Sequence, residues 1–206
     1  MMGVFSLITL AALVVVSGMV VRLDRTGRET AAPAALSTRV AQAQAAPSLT
    51  DQATGLSYPL LDAPWHDGCP RGLSTTEFRW TGGEAALAGR LPDGSDWYGN
   101  ACSGPLPQRF RGQADARSAW ATAEAIESAY YSGLHHSVTV KRSAAFRVGG
   151  RAGWLAEFLV RYSGKPHLAW SSELAAVVVT GKAVFYVSVP DNLRTSTVAT
   201  LLGSLR

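Results

Sequence analysis

Few residue constellations in this chain could do chemistry, and each has an ordinary structural use as well. His135 and His136 are adjacent. Neighbours on a strand point to opposite faces, so the pair cannot readily grip one ion, whereas a histidine at a helix end sits well against the last carbonyls. His66-Asp67 precedes Cys69 in a Gly/Pro-containing loop and is the one pair with acid–base types side by side. Cys69 and Cys102 are the only cysteines and lie 33 positions apart, without metal-site spacing. Ser103 and Ser163 sit in Gly-flanked turns. No nucleophile elbow or phosphate-cradling Gly-rich motif occurs. Glu157 and Glu173 fall on strand-like segments, where an open sheet face would let them pair with Arg161, Lys141 or Arg147 at ~0–1 kcal/mol. The segment Asp96-Trp97-Tyr98-Gly99-Asn100 crowds aromatics and an amide into a loop beside the second cysteine. Trp97, Tyr98 and Asn100 are therefore the candidate binding residues, able to stack on a sugar ring or anchor a partner. No catalytic residue, metal site or cofactor is expected.

Those residues must be positioned by a chain with three parts. Val4 to Val21 is nearly unbroken apolar sequence. As a helix it would measure ~27 Å, enough to span a hydrocarbon core. No Lys or Arg precedes it and no Cys follows closely, which favours an uncleaved transmembrane anchor (1–27) over a signal peptide or lipoprotein leader. An Ala/Pro/Gln-rich spacer (28–52) follows, and then a globular domain (53–206). The 206 residues carry a net charge of +4, with 47% hydrophobic and 17% charged residues, so the composition is that of a folded domain. No dense Lys/Arg stripe is present, and nucleic acid is not an expected partner.

Topology is contested within the sequence. Arg22, Arg25 and Arg28 follow the apolar run, which by the positive-inside rule would face the domain to the cytoplasm. The stalk-like spacer and two cysteines point outward. Met1-Met2 at the edge of the apolar run fits a start at an internal methionine, with a basic segment lost. The favoured expectation is an extracytoplasmic domain with a Cys69–Cys102 disulfide. A cytoplasmic domain with free thiols is the alternative.

Within the domain, Gly55 to Trp65 reads as a first strand, Phe78–Trp80 and Glu84–Leu91 as short strands or a short helix, and Trp97–Ala101 as another short strand. Asp115 to Tyr131 has helical apolar spacing and Gly133 beyond its end. Ser137–Val148 and Trp154–Tyr162 form a hairpin about Gly149-Gly150. A three-residue loop there would set Phe146 beside Trp154 and Val140 beside Val160. It would leave one apolar and one mostly polar face, with Arg142 intruding on the apolar one. Leu174–Thr180 and Lys182–Val189 form a second pair about Gly181. A helix from Leu193 to Leu205 ends the chain. The expected class is α+β: one antiparallel sheet with helices packed on it, preceded by the anchor and spacer.

From the Asp115 helix onward, this organisation resembles the Mog1/PsbP-like fold, including LpqN-type surface proteins of actinobacteria. The matching landmarks are that helix, the hairpin Phe146–Phe158, the strand pair about Gly181 and the end Leu202-Gly-Ser-Leu-Arg206. Gly55–Pro59 leading to Trp65 matches as well. The resemblance implies a compact sandwich used for binding or assembly without catalysis. The region from Cys69 to Pro107 is not covered by it. The functional expectation is a single-pass, surface-displayed module at the cell membrane. It would bind an envelope protein, a wall polymer or a small apolar ligand. The alternatives are an envelope hydrolase using His66 and Asp67, or a cytoplasm-facing assembly factor.

Overall fold

A computed structural model describes residues 47–70, 77–91, 94–131, 133–162, 172–193 and 196–206. The apolar run Val4–Val21 and most of the spacer lie outside the described residues. No described helix is long and apolar enough to cross a membrane.

The architecture is α+β. Strands β1 (Ser48–Asp51) and β2 (Leu56–Pro59) pair in a small antiparallel hairpin. Then come β3 (His66–Asp67), β4 (Gly82–Arg90) and β5 (Asp96–Pro105), a 3-10 turn at Gln108–Phe110 and helix α1 (Asp115–Tyr131). Four strands follow, β6 (His136–Val148), β7 (Arg151–Tyr162), β8 (Ser172–Val179) and β9 (Ala183–Pro190), and then helix α2 (Ser196–Ser204). Strands β3 to β9 make one antiparallel sheet in the order β3-β4-β5-β9-β8-β7-β6. Ser48–Asp51 lies inside the stretch read as spacer, so folded structure starts before the expected boundary at 53.

Both faces of the sheet are buried. On one, Ile126, Ala119 and Ala123 of α1 pack with Phe158, Val177 and Val179. On the other, Val198 and Leu201 of α2 and Leu56 and Tyr58 of β2 pack with Leu155, Val178, Phe185 and Val187. Alternate residues of β8 and β9 therefore serve opposite cores, which is why Ala175–Val179 and Ala183–Val187 are continuously apolar. The two edge strands, β3 and β6, are the exposed ones.

The β6–β7 register also differs from expectation. Gly149 and Gly150 both adopt positive φ, 54° and 82°, and close a two-residue turn with Val148 opposite Arg151. Phe146 consequently pairs with Gly153, and Trp154 pairs with Ala145. A bulge at Lys141 then shifts the phase, so Val140 faces Phe158 and Val138 faces Val160. One extra residue sends Val138 and Val140 to the α1 face and Phe146 and Val148 to the α2 face. Arg142 stays in phase with Ala144, Phe146 and Val148 on the α2 face, where it is exposed and stands opposite Glu157.

The cysteines pair. Cys69 and Cys102 are bonded with their Cα atoms 6.0 Å apart. The bridge ties the loop after β3 to the middle of β5. Gly83 on β4 lies between, and a Cβ there would collide with Cys69 Sγ and the Ala101 carbonyl. Closing a loop of this length stabilises by ~3–4 kcal/mol. Urea unfolding of the Cys69→Ala, Cys102→Ala protein is expected to show a loss of about that size, with the far-ultraviolet spectrum of the folded state unchanged. A loss below about 1 kcal/mol would mean that other contacts hold this end of the sheet.

Candidate functional site: an aromatic cavity over a buried glutamate

Glu173 is the second residue of β8 and shares the α1 face with Ala175, Val177 and Val179. It stands opposite Val160 of β7 and Pro190 of β9, and only 1% of it is exposed. Burial penalises its charge, so three tyrosines from three elements surround it. The Tyr162 hydroxyl donates to one carboxylate oxygen at 2.7 Å and the Tyr131 hydroxyl to the other at 3.2 Å. Tyr131 also shares a hydrogen bond of 3.0 Å with the Tyr186 hydroxyl. Burial pushes the carboxyl up to about 8, and the two donated bonds offset only part of that rise. The Tyr131, Tyr162 and Tyr186 phenols are held well above their usual range, by burial first and then by the neighbouring carboxyl. The result at neutral pH is a hydrogen-bonded cluster with little net charge.

Above this cluster lies a cavity of about 320 Å³, at the small end of ligand sites. Strand β5 supplies Asp96, Trp97, Tyr98 and Asn100 to its wall. The last turn of α1 supplies Ala129, Tyr130 and Tyr131, and β9 supplies Tyr186 and Ser188. Tyr130 accepts a bond from Trp80 Nε1 at 3.2 Å, and burial pushes its phenol up to about 12. The Asn100 side chain donates to the Tyr98 carbonyl at 3.0 Å, which sets the orientation of its amide. Its Oδ1 is buried with no hydrogen-bond partner. At the rim, Asp96 accepts the Tyr98 hydroxyl at 3.3 Å and pairs with Arg90 at 3.2 Å. Pro70, next in sequence to Cys69, also lines the cavity, so the disulfide holds part of its wall.

The structure thus brings Trp97, Tyr98 and Asn100 to one cavity, on a strand and not in a loop. Their roles separate. Trp97 is 9% exposed, edge-on to Tyr162 at 5.4 Å and tilted on Tyr131 at 6.1 Å, so it is a core residue that also forms a wall. Tyr98 is half-buried at the rim.

The other candidates lie elsewhere. His66 and Asp67 are exposed on β3, and the His66 ring meets the Asp67 backbone carbonyl at 3.3 Å, not its carboxylate. His136 bridges the Leu134 carbonyl at 2.8 Å and Glu127 at 2.7 Å, fastening the end of α1 to β6. Burial alone would lower its pKa, but those two bonds outweigh it and raise it. His135 is exposed, and no cluster of three metal-ligating side chains occurs among the described residues. The Ser103 hydroxyl donates to the Gly82 carbonyl and meets the Tyr58 hydroxyl, each at 3.3 Å. Ser163 lies outside the described residues.

Glu173 corrects an expectation. It was expected on an open sheet face beside a basic residue, and it is enclosed among phenols. A carboxylate in phase with an apolar stripe, Glu173-x-Ala175-x-Val177, is the signal that marks it. The tyrosines that complete the site come from distant parts of the chain.

The raised Glu173 pKa has a defined sign. Below its ordinary value of 4.5 the carboxyl is protonated in both folded and unfolded chains. Between about 4.5 and 8 the unfolded chain ionises first, so stability is lost as pH rises. His136, also raised, adds a loss of the same sign above about 6.5. Glu84, raised by burial, adds a loss of that sign above its ordinary 4.5, so Glu173→Gln is expected to flatten the decline between pH 5 and 8 by about 1 kcal/mol per unit and leave the Glu84 and His136 parts, as urea curves at four pH values would show. A wild-type slope retained in the variant would mean an ionised carboxylate in the folded protein. Trp97→Ala is expected to cost about 3–5 kcal/mol and Tyr98→Ala under about 1 kcal/mol by the same measurement.

No protein-family description matches the sequence, and no curated protein matches it. Among solved structures, the chain is similar to cyanobacterial PsbP (CyanoP) from Synechocystis sp. PCC 6803. The TM-score is 0.48 and the identity 15%, over 78% of this chain and 91% of that one.

Proposed function

We propose that this chain is a membrane-anchored, extracytoplasmic binding module without catalytic activity, and that its ligand occupies the cavity above Glu173. One observation carries the reading: a single cavity gathers five aromatic rings, an unpartnered buried amide oxygen and a buried carboxyl. Such a wall recognises shape and a few polar groups. The volume suits a small molecule or one protruding side group of an envelope protein or wall polymer. The Cys69–Cys102 bridge favours an oxidising compartment, hence an outward-facing domain. The α1, Phe146–Phe158 and α2 landmarks that resemble LpqN-type surface proteins support the same reading. An assembly factor in the cytoplasm would sit poorly with the bridge, and a hydrolase using His66 would leave the cavity without a role.

Ala129 is exposed at the cavity and near the end of α1, so Ala129→Trp should fill the opening while keeping the fold. In a small-molecule NMR screen of the full chain in nanodiscs, shifts are expected to cluster on Asp96–Asn100, Tyr130, Tyr131 and Glu173. They should vanish in Ala129→Trp, whose melting temperature should stay within about 3 °C. Shifts centred on His66 and Asp67 would favour the hydrolase instead. For location, alkylation in the native membrane without reductant should leave both cysteines unmodified, and labelled thiols would overturn the extracytoplasmic placement.

A further inference from the structure

We propose that the cavity above Glu173 selects a small primary alkylammonium ion, with Glu173 as its counter-ion and Asn100 Oδ1 as an acceptor for its N–H. This deepens the binding reading above and rests on it.

Three independent features of the cavity agree. The first is charge. Among the described residues, two carboxyl groups, Glu173 and Asp96, line it, and no Lys or Arg does. Arg90 offsets Asp96 from an exposed position, and among the described residues nothing basic faces Glu173. The second is the wall. Trp97, Tyr98, Tyr130, Tyr131 and Tyr186 supply five aromatic side chains around about 320 Å³. Aromatic rings attract cations and accept an alkyl chain equally well. The third is hydrogen bonding. Asn100 is 5% exposed and its Oδ1 has no partner, while its amide nitrogen is committed to the Tyr98 carbonyl. An unpaired buried acceptor disfavours the empty cavity and favours a ligand that donates. A primary ammonium donates three N–H groups, and a quaternary ammonium donates none.

Binding then exchanges one proton. The ligand enters as R–NH₃⁺, the Glu173 carboxyl gives up its proton to solvent, and a buried ion pair forms among the tyrosine hydroxyls. The groups that face Glu173 are Tyr131 from α1, Tyr162 from β7 and Tyr186 from β9. Tyr98 and Asp96 from β5 and Tyr130 from α1 share the cavity, and His136 with Glu127 stands behind Tyr131. Among the described residues none of the facing groups is a cation. The carboxyl's upward-shifted pKa fits that enclosure by uncharged hydroxyls.

The test is calorimetric titration of the full chain in nanodiscs with n-butylammonium, n-butanol, butyrate and tetramethylammonium, at pH 6, 7 and 8 and in two buffers of different ionisation heat. Butylammonium is expected to bind at least tenfold tighter than each of the other three. Its affinity should rise up to about tenfold per pH unit below pH 8, with close to one proton released at pH 6. Glu173→Gln should weaken butylammonium at least tenfold, abolish proton release and leave butanol unchanged. Should that variant fold poorly, the pH dependence of the unaltered protein decides. Equal binding of butanol, or pH-independent binding, would overturn the cation while keeping the cavity as a binding site. Equal binding of tetramethylammonium would overturn the N–H donor. Unchanged butylammonium binding to Ala129→Trp would place the ion elsewhere. Failure of every probe to bind would sink both this inference and the small-ligand reading beneath it.

Discussion

Two-sided burial of the central strands is the constraint on which the rest of this structure depends. With α1 on one face and α2 and the β1–β2 hairpin on the other, β8 and β9 have no solvent side. Every polar side chain placed on them must then find a partner inside the protein or stay uncharged. Most positions meet this demand by being apolar. Glu173 meets it with phenol hydroxyls, and Ser188 is the other buried polar side chain on the same face beside the cavity.

That constraint turns a packing problem into a possible site. A carboxyl surrounded by phenols, with burial raising its pKa, is held close to neutral without a basic neighbour. Tyr131, Tyr162 and Tyr186 hold it by hydrogen bonds, and Trp97 braces Tyr131 and Tyr162 through ring contacts. The cavity walls are thus part of the core, so their geometry is set by the packing of rigid elements. Buried polar networks of this kind are costly when incomplete. The unpartnered Asn100 Oδ1 is such an incompleteness, on a residue that lines the cavity.

The far end of the sheet is built by different means. Strands β3 and β4 lie beyond the reach of both helices' main contacts, and there the disulfide and close backbone approach add to the packing of Ala86 and Ala88. Gly83 admits Cys69 against β4, and Gly104 admits the Arg79 carbonyl against β5. Asp51 anchors the β1–β2 hairpin to the same region through the Thr54 and Thr81 hydroxyls, at 2.7 Å and 2.9 Å. Those hydroxyls hold its carboxylate below its usual range despite burial, which acts in the opposite direction. Pro70 and the residues of β5 are therefore fixed in place at the cavity by a covalent tie.

Local pattern determined much of the architecture. The Asp115–Tyr131 helix, the order of four antiparallel strands and a terminal helix all follow from periodicity and turn residues, because those signals act within a few neighbours. The only two cysteines were legible as a candidate pair, although Cys102 lies in the middle of β5 and not in a loop. Register was beyond that range. Whether Gly149-Gly150 closes a two- or three-residue turn, and where a bulge at Lys141 shifts the phase, depends on which face each residue buries against elements far along the chain. Trp97, Tyr98 and Asn100 were legible as an unusual cluster, but their division into core residue, rim and buried acceptor was not. Glu173 was legible only as a carboxylate on a strand. That it is buried, nearly neutral and ringed by Tyr131, Tyr162 and Tyr186 was decided by tertiary structure alone, since desolvation is a property of surroundings that four separate elements assemble together.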